Sequence, residues 1–299
     1  MNFVLRYLST NGKDRMAELI STQTTQHPLP DYLVEYSDLS YAGPDNTLLE
    51  ADVYRPKDTT LDPLPIVVFV HGGGFVVGSR KANRDYVEKL ADRGYVVFVP
   101  EYRLLDESDG KGALAGIADV CASLSYLKDN AERFGGDLSR LFVIGESAGA
   151  FLAVYAIALL SSPLLRQKLA IEMPNLWVKG LACFGGMFYT SSLDMIGLVY
   201  KRSMFGDRLD DRDFMELMNP EDPRVESTLP PVFQVSSKAD FLRSYTLKYN
   251  DALTKVGHDH KLIYYKRGDK LTHAFPSLHP ELPESKEVLD RLDEWFRSL

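Results

Sequence analysis

A strand, a tight turn and a helix follow one another in residues 140–160, which read RLFVIGESAGAFLAVYAIALL. The apolar run before the turn is typical of a strand buried on both faces, and the longer run after it is typical of a core helix. Between them, Gly145-Glu-Ser-Ala-Gly149 matches the pattern G-x-S-x-G, in which a serine lies on a sharp strand-to-helix turn with its hydroxyl exposed. The pattern alone is weak evidence, but this context makes it specific. The stretch therefore predicts a reactive hydroxyl at Ser147.

Strands and helices alternate on both sides of this stretch. Strands are predicted at 65–70, 95–100, 140–145, 177–184, 232–235 and 262–265, and helices at 82–93, 113–134, 148–160, 242–256 and 285–296. Such alternation predicts βαβ units, and hence an α/β fold with a mostly parallel sheet and helices on both faces. Segments 32–36 and 48–54 alternate polar and apolar residues, which predicts an antiparallel hairpin at the sheet edge.

Two regions, residues 1–30 and 187–229, interrupt the alternation. The first contains one or two short helical patterns, and the second combines a helix-like stretch with charged residues and helix breakers. Loops this long are seldom structureless in a compact domain and often carry function. We expect both to form a helical cap over the carboxyl edge of the sheet, with 31–186 and 230–299 forming the α/β core. The alternative is an N-terminal extension and a surface insertion.

The composition limits the partners of the 299-residue chain. Its net charge of −8 argues against nucleic acid or an anionic membrane surface as the main partner. The N-terminus lacks the apolar core and cleavage site of a signal peptide. Residues 147–165 carry no charge, yet Ser161, Ser162 and Pro163 interrupt the apolar run, so we expect a core helix and no stable membrane insertion.

The two cysteines indicate the compartment. Cys121 and Cys183 both lie within apolar segments, which is typical of buried free thiols in a reducing environment. We therefore expect a cytoplasmic protein. The sequence leaves open whether the chain forms a homodimer.

A second glycine-rich segment, His71-Gly-Gly-Gly74, follows the strand at 65–70. Glycines there let backbone N–H groups approach a substrate oxygen without obstruction by side chains. In the fold that carries G-x-S-x-G, such a segment forms an oxyanion hole together with the N–H of the residue after the serine. The predicted donors are Gly73, Gly74 and Ala148, with His71 and Gly72 as supporting residues. The alternative is a glycine-rich turn without a catalytic role.

A serine hydroxyl is a weak nucleophile until a base takes its proton, and the base needs an orienting carboxylate. In this fold the three groups occur in the order Ser, Asp or Glu, His, the last two after later strands. Asp240 follows the strand at 232–235, and His273 follows the strand at 262–265. We therefore predict Ser147 as nucleophile, His273 as base and Asp240 as the acid.

Other residues compete for these roles. Asp269 is closer to His273 in sequence but comes from the same loop, and His279 lies further from the strand. His258 and His260 precede a strand and have no third metal ligand at a recognised spacing, which favours a solvated loop. We therefore expect no metal site and no organic cofactor.

Taken together, the motifs resemble the hormone-sensitive-lipase branch of the α/β-hydrolase esterases, the bacterial family IV carboxylesterases. The segments that carry the resemblance are His71–Phe75, Glu101–Leu104, Phe134–Arg140, Gly145–Gly149, Leu229–Pro231, Asp240–Leu242 and His273–Phe275. The resemblance implies the α/β-hydrolase fold and a nucleophile at Ser147, with Asp240 and His273 as acid and base. We expect the partner to be a small-molecule acyl ester of short to medium chain length.

This sequence departs from the pattern of the family at three places. The family usually has Asp or Thr where Glu146 stands, D-Y-R-L-A-P where the chain has Glu101-Tyr-Arg-Leu-Leu-Asp106, and D-P-L at Asp240–Leu242. None of these changes removes a catalytic group, but they weaken any inference about the substrate. Glu146 is predicted as a supporting residue that orients the serine turn, with a structural salt bridge as the alternative.

Three other functions stay open at this point. The same three groups would serve an amidase, a formamidase or an O-acetyl deacetylase. A binding protein could retain the fold without catalysis, since a fold does not imply a function. A lipase acting at interfaces would need a large exposed apolar patch, and the charged run at 207–213 argues against one.

Overall fold

The chain folds around one central sheet, and the computed structural model describes residues 1–26, 28–57 and 62–299. The strands are β1 Leu33–Ala42, β2 Leu48–Pro56, β3 Leu64–Val70, β4 Val96–Pro100, β5 Gly136–Glu146, β6 Gly180–Phe184, β7 Val232–Ser237 and β8 His260–Tyr265. The helices are α1 Phe3–Gln26, α2 Arg84–Asp92, α3 Ala113–Asn130, α4 Ala148–Ser161, α5 Pro163–Leu169, α6 Met195–Phe205, α7 Arg212–Leu217, α8 Pro223–Glu226, α9 Arg243–Val256, α10 Phe275–Leu278 and α11 Pro283–Arg297, with 3₁₀ turns at Glu132–Phe134 and Gly206–Asp210.

The order of the strands in the sheet is β1-β2-β4-β3-β5-β6-β7-β8. β1 pairs with β2 and β2 with β4 in antiparallel fashion, and every later pairing is parallel. The predicted mostly parallel sheet with an antiparallel edge hairpin is therefore confirmed. Only the strand predicted at 177–184 is appreciably shorter, because Trp177 is 68% exposed and the strand begins at Gly180.

The sheet is buried on both faces, and β3 shows why its sequence is a continuous apolar run. Val68 and Val70 belong to one apolar cluster, whereas Val67 and Phe69 belong to another. All four side chains are fully buried. Because successive side chains of a strand point to opposite faces, a strand between two helical layers has no position for a polar residue.

Helix α4 is the core helix that the sequence predicted, since Ala148–Leu159 are all buried. Phe151 packs edge-on against Phe75, with 5.7 Å between the ring centroids. Among the described residues, no single helix is long and apolar enough to cross a membrane. α4 and α5 reach that length and composition only as a pair, which is bent by 118°.

The two regions that interrupt the alternation are largely helical in their described parts. Residues 3–26 form one long helix, α1, where the sequence predicted one or two short ones. α1 contacts α6, and the Asn2 side-chain amide donates a hydrogen bond of 2.6 Å to the carbonyl of Val199. The Ser9 hydroxyl donates to Asp106, 2.9 Å away, which ties α1 to the loop after β4.

Candidate active site

Ser147 lies on the turn between β5 and α4 in a conformation that non-glycine residues rarely adopt, with φ of +51°. Its backbone N–H donates to the carbonyl of Phe184 at the end of β6, at 2.9 Å. Gly149 is required by packing, because a Cβ there would lie 2.1 Å from the carbonyl oxygen of Val70. The neighbouring strands therefore hold the turn, and they offset a backbone strain of order 1–3 kcal/mol.

Three side chains that are far apart in sequence form a hydrogen-bonded series at this turn. His273 Nε2 lies 2.8 Å from Ser147 Oγ, and His273 Nδ1 lies 2.7 Å from Asp240 Oδ1. Asp240 is 1% exposed and also accepts hydrogen bonds from the Ser236 hydroxyl and the Leu242 N–H. A carboxylate on Nδ1 fixes the tautomer in which Nε2 can accept the proton of the hydroxyl.

Parallel pairing explains why the series forms. β5, β7 and β8 point the same way, so their carboxyl ends lie at one edge of the sheet, where Ser147, Asp240 and His273 follow them. Gly185, which follows β6 with φ of +58°, was not among the predicted site residues. A Cβ there would lie 2.8 Å from His273 Cε1 and 2.9 Å from Asp240 Oδ2, so only glycine leaves room for the pair. A glycine directly after a buried strand was the feature of the sequence that could have indicated this position.

The glycine segment after β3 lies beside the serine turn. Gly73 and Gly74 have φ of +111° and +58°, and a Cβ on Gly73 would lie 1.9 Å from the carbonyl oxygen of Val77. Within the described residues, the N–H groups of Gly73 and Gly74 have no backbone acceptor. Ala148 begins α4, where the first N–H groups of a helix lack intrahelical partners. These backbone groups are therefore free to bind an oxygen of a ligand.

The buried side chain of His71 helps to hold this glycine segment in place. Its ring is 1% exposed, with Nδ1 2.8 Å from the carbonyl oxygen of Gly72 and Nε2 2.8 Å from Glu101 Oε1. Tyr102 stacks on the ring at 4.3 Å and donates its hydroxyl to the His71 carbonyl. Burial favours the neutral form of Glu101, but His71 and Arg80 outweigh that effect and lower its pKa.

A cavity of about 310 Å³ opens above Ser147 and His273. Apolar side chains from several parts of the chain line it: Met16 of α1, Met187, Ile196 of α6, Phe241 and Leu278. The Phe241 ring lies 4.3 Å from the His273 ring, centroid to centroid. The hydrogen-bonded series is therefore accessible to a small ligand from an apolar space.

Sequence comparison relates the chain to known esterases. The BD-FAE family model matches residues 51–173. The carboxylesterase NlhH of Mycobacterium tuberculosis is 28% identical over 299 residues, which is 97% of this chain and 90% of that protein. The Arabidopsis thaliana isoprenylcysteine alpha-carbonyl methylesterase is 28% identical over 232 residues, 72% of this chain and 52% of that protein. The chain thus spans about half of the plant relative and less than a third of several other esterases.

Structural comparison gives the same relationship at the level of the fold. Esterase B from Lactobacillus rhamnosis, in a crystal structure with a C4-C4 tributyrin phosphonate, has a TM-score of 0.86 over 100% of this chain and 96% of its own, at 23% identity. The chain has the α/β-hydrolase fold, and the relatives named here are esterases. The fold class predicted from the sequence is therefore confirmed.

Glu146 lies next to Ser147 and is buried. Its Oε2 accepts hydrogen bonds from the Asn83 amide at 2.6 Å and from the Ser277 hydroxyl. A Cβ on Gly72 would lie 2.4 Å from its Oε1. Among the described residues, the contacts of Glu146 are hydrogen bonds from neutral donors, which favours the supporting role over a structural salt bridge. Burial raises the pKa of Glu146, and hydrogen bonds and His273 offset part of that rise.

The competing residues considered from the sequence lie outside this site. Asp269 is exposed, and the His279 side chain is 45% exposed beside Glu281. His258 contacts the carbonyl oxygen of Pro230, and His260 contacts Thr254. Across residues 1–26, 28–57 and 62–299, no group of three His, Cys, Asp or Glu could hold a metal ion.

The protein has a larger cavity, of about 720 Å³, between α3 and the 206–214 segment. None of the predicted site residues lines it. The cations that line it are already paired: Arg103 with Asp119, Lys111 with Asp45 and Arg208 with Asp211. Because these charges already have partners, the size of the cavity alone does not indicate a site.

Proposed function

We propose that this chain is a serine carboxylesterase that hydrolyses short- to medium-chain acyl esters. The observation that carries the proposal is the hydrogen-bonded series from Ser147 through His273 to Asp240, at the floor of an apolar cavity. Relatives that cover up to 97% of the chain are named esterases, which supports an ester as the bond that is hydrolysed. Esterase B, whose structure contains a tributyrin phosphonate, supports a short acyl group.

In the proposed mechanism, His273 Nε2 takes the proton of Ser147 Oγ while that oxygen attacks the ester carbonyl carbon. The carbonyl electron pair moves to its oxygen and forms a tetrahedral intermediate. When the intermediate collapses, the bond to the alkoxy oxygen breaks and His273 gives its proton to the leaving alcohol. Water then attacks the acyl-enzyme in the same way, which releases the acid and restores Ser147. The proposed steps use no metal or organic cofactor.

Two sets of groups would stabilise the charges that develop. Asp240 would hold the imidazolium that forms on His273. The N–H groups of Gly73, Gly74 and Ala148 would bind the oxyanion, and the loss of one such donor typically costs about 3–4 kcal/mol. His71 and Gly72 would hold the loop, and Glu146 would orient the serine turn.

The surroundings of the site support the rest of the proposal. A cavity of about 310 Å³ suits a small substrate, and residues of α1 and α6 line it, which supports a helical cap formed by 1–30 and 187–229. Cys121 and Cys183 are buried and free, as proteins of a reducing compartment such as the cytoplasm often show. A homodimer and the lack of nucleic-acid binding stay predictions.

Replacement of the nucleophile tests the proposal. Ser147→Ala should lower kcat for p-nitrophenyl acetate by at least about 10⁴-fold, because no hydroxyl remains to form the acyl-enzyme. Ser227→Ala, on the exposed hydroxyl beside α8, is the matched control and should retain wild-type turnover. Both variants should unfold at the wild-type temperature. Retained hydrolysis by folded Ser147→Ala would contradict the proposal.

A further inference from the structure

The cap places one polar group in the otherwise apolar roof of the active-site cavity, the hydroxyl of Tyr200 on α6. A Cβ built on Gly74 would lie 2.7 Å from Tyr200 Oη and 3.7 Å from Cζ, and no other atom of the described residues outside Gly73–Phe75 would lie within 4 Å. The phenol therefore occupies the space directly beside Gly74. An oxygen bound by the Gly74 N–H would lie within reach of the phenol.

The hydroxyl has a proton that nothing in the described part of the protein accepts. Among the described residues, no side chain or carbonyl forms a hydrogen bond with Tyr200 Oη. Burial raises the pKa of Tyr200 to about 12, so the phenol is neutral and able to donate at any pH used for an esterase assay. Tyr200 is partly buried and lines the cavity, so a ligand that enters the cavity can accept this proton.

Contacts on both sides hold Tyr200 in place. Its ring packs edge-on against Phe75 with 6.3 Å between centroids. Asn2 donates to the carbonyl of the preceding residue, Val199. At the start of α6, Asp194 accepts from the Gly197 N–H and from the Tyr245 hydroxyl at 2.7 Å. α6 is therefore anchored at its N-terminus and beside Tyr200, and the donor is preorganised.

We propose that Tyr200 Oη donates a hydrogen bond to the oxyanion of the tetrahedral intermediate, in addition to the backbone donors Gly73, Gly74 and Ala148. The inference rests on the proposed esterase function and extends it, because the cap then takes part in catalysis as well as covering the site. The carbonyl oxygen gains negative charge only as Ser147 attacks, so the hydrogen bond strengthens in the transition state and raises kcat.

The test is Tyr200→Phe, which removes one oxygen and keeps the ring. We expect kcat for p-nitrophenyl acetate to fall about 10- to 100-fold, with KM changed less than about threefold. The inhibition constant of a trifluoromethyl ketone, which forms a tetrahedral oxyanion with the serine, should rise by the same factor. Tyr126→Phe is the matched control, because Tyr126 packs against Tyr41 and Phe98 away from the cavity. It should leave all three quantities unchanged.

The outcomes separate this inference from the proposed function. If Tyr200→Phe leaves kcat and the inhibition constant unchanged, the inference is wrong, although the function stands as long as Ser147→Ala is inactive. A rise in KM alone, or a fall in kcat without weaker ketone binding, also overturns it, because either excludes a contact with the oxyanion. Since the hydroxyl has no partner among the described residues, the unfolding temperature should not fall.

Discussion

At the scale of single residues, the site contains groups whose backbone conformation or burial is energetically unfavourable. Ser147 has a positive φ, Asp240 is fully buried, and Glu146 is buried with two hydrogen-bond donors instead of a cation. Neighbouring groups offset the strain of the Ser147 backbone and the burial of the two carboxyl groups, and this is typical of functional positions. For Glu146, the effect of burial on stability can be measured.

Glu146→Gln should change how stability depends on pH. Because burial raises the pKa of Glu146 above its ordinary 4.5, the folded wild type binds more protons than the unfolded chain between those two values. Its stability therefore falls as pH rises through that interval, by about 1.4 kcal/mol for each pH unit between the unfolded and the folded pKa. Gln cannot ionise, so the stability of the variant rises relative to that of the wild type as pH increases from 4.5 to the folded pKa of Glu146.

Urea unfolding of both proteins across that pH range measures the difference. The exposed Glu294→Gln on α11 is the control and should alter the pH slope little. A difference between Glu146→Gln and wild type that stays constant with pH would show that burial of the carboxyl does not govern its ionisation.

At the scale of elements, the ends of the strands decide where the proposed catalytic groups can meet. β6 contributes none of these side chains, yet the carbonyl of Phe184 at its end accepts the Ser147 N–H, and Gly185 after it lies against Asp240 and His273. Because Gly185 has no side chain, the loops after β7 and β8 can approach each other there. This strand end is therefore as important to the site as those that carry the proposed catalytic groups.

Gly185→Ala should displace His273 or Asp240 and lower kcat by about 10²-fold, since misplacement by about 1 Å can cost that much. Gly257→Ala is the matched control, because Gly257 also has a positive φ of +74° but a Cβ there meets no atom within 4 Å. Both variants carry backbone strain, but only Gly185→Ala should lose turnover per folded molecule. Equal kcat values for the two variants would contradict this account.

At the scale of the whole molecule, the groups that stabilise the fold and the proposed active site lie in different places. Two apolar clusters cover the two faces of the sheet, and a buried ion pair of Arg103 with Asp119 joins the loop after β4 to α3. Asp119 is fully buried and accepts from the backbone N–H and the guanidinium of Arg103. Neither residue lines the active-site cavity.

Asp119→Asn should lower the free energy of unfolding by about 3–5 kcal/mol, because it leaves the buried Arg103 charge without its main partner. Asp137→Asn breaks the partly exposed pair with Arg140 and should cost less than about 1 kcal/mol. Denaturant titration measures both values. The kcat of folded Asp119→Asn should equal that of the wild type, and a lower value would link this ion pair to the site.

Three features could be predicted from the sequence alone: the alternation of strands and helices, the serine turn at Gly145–Gly149 and the order of Ser147, Asp240 and His273. These features are local, because periodicity, strand ends and glycine turns depend on neighbours in the chain. The sequence showed helix α1 only as one or two shorter patterns. α1 contacts α6 and the loop after β4, and periodicity does not report contacts with such distant segments.

Contacts between groups that are distant in sequence depend on the tertiary structure. Three examples join segments separated by tens of residues or more: the space that Gly185 leaves for Asp240 and His273, the hydrogen bonds of Glu146, and the position of Tyr200 beside Gly74. Nothing in the periodicity of a helix indicates which loop it will cover. The chemistry of such contacts is set by distance and burial, which exist only after the chain has folded.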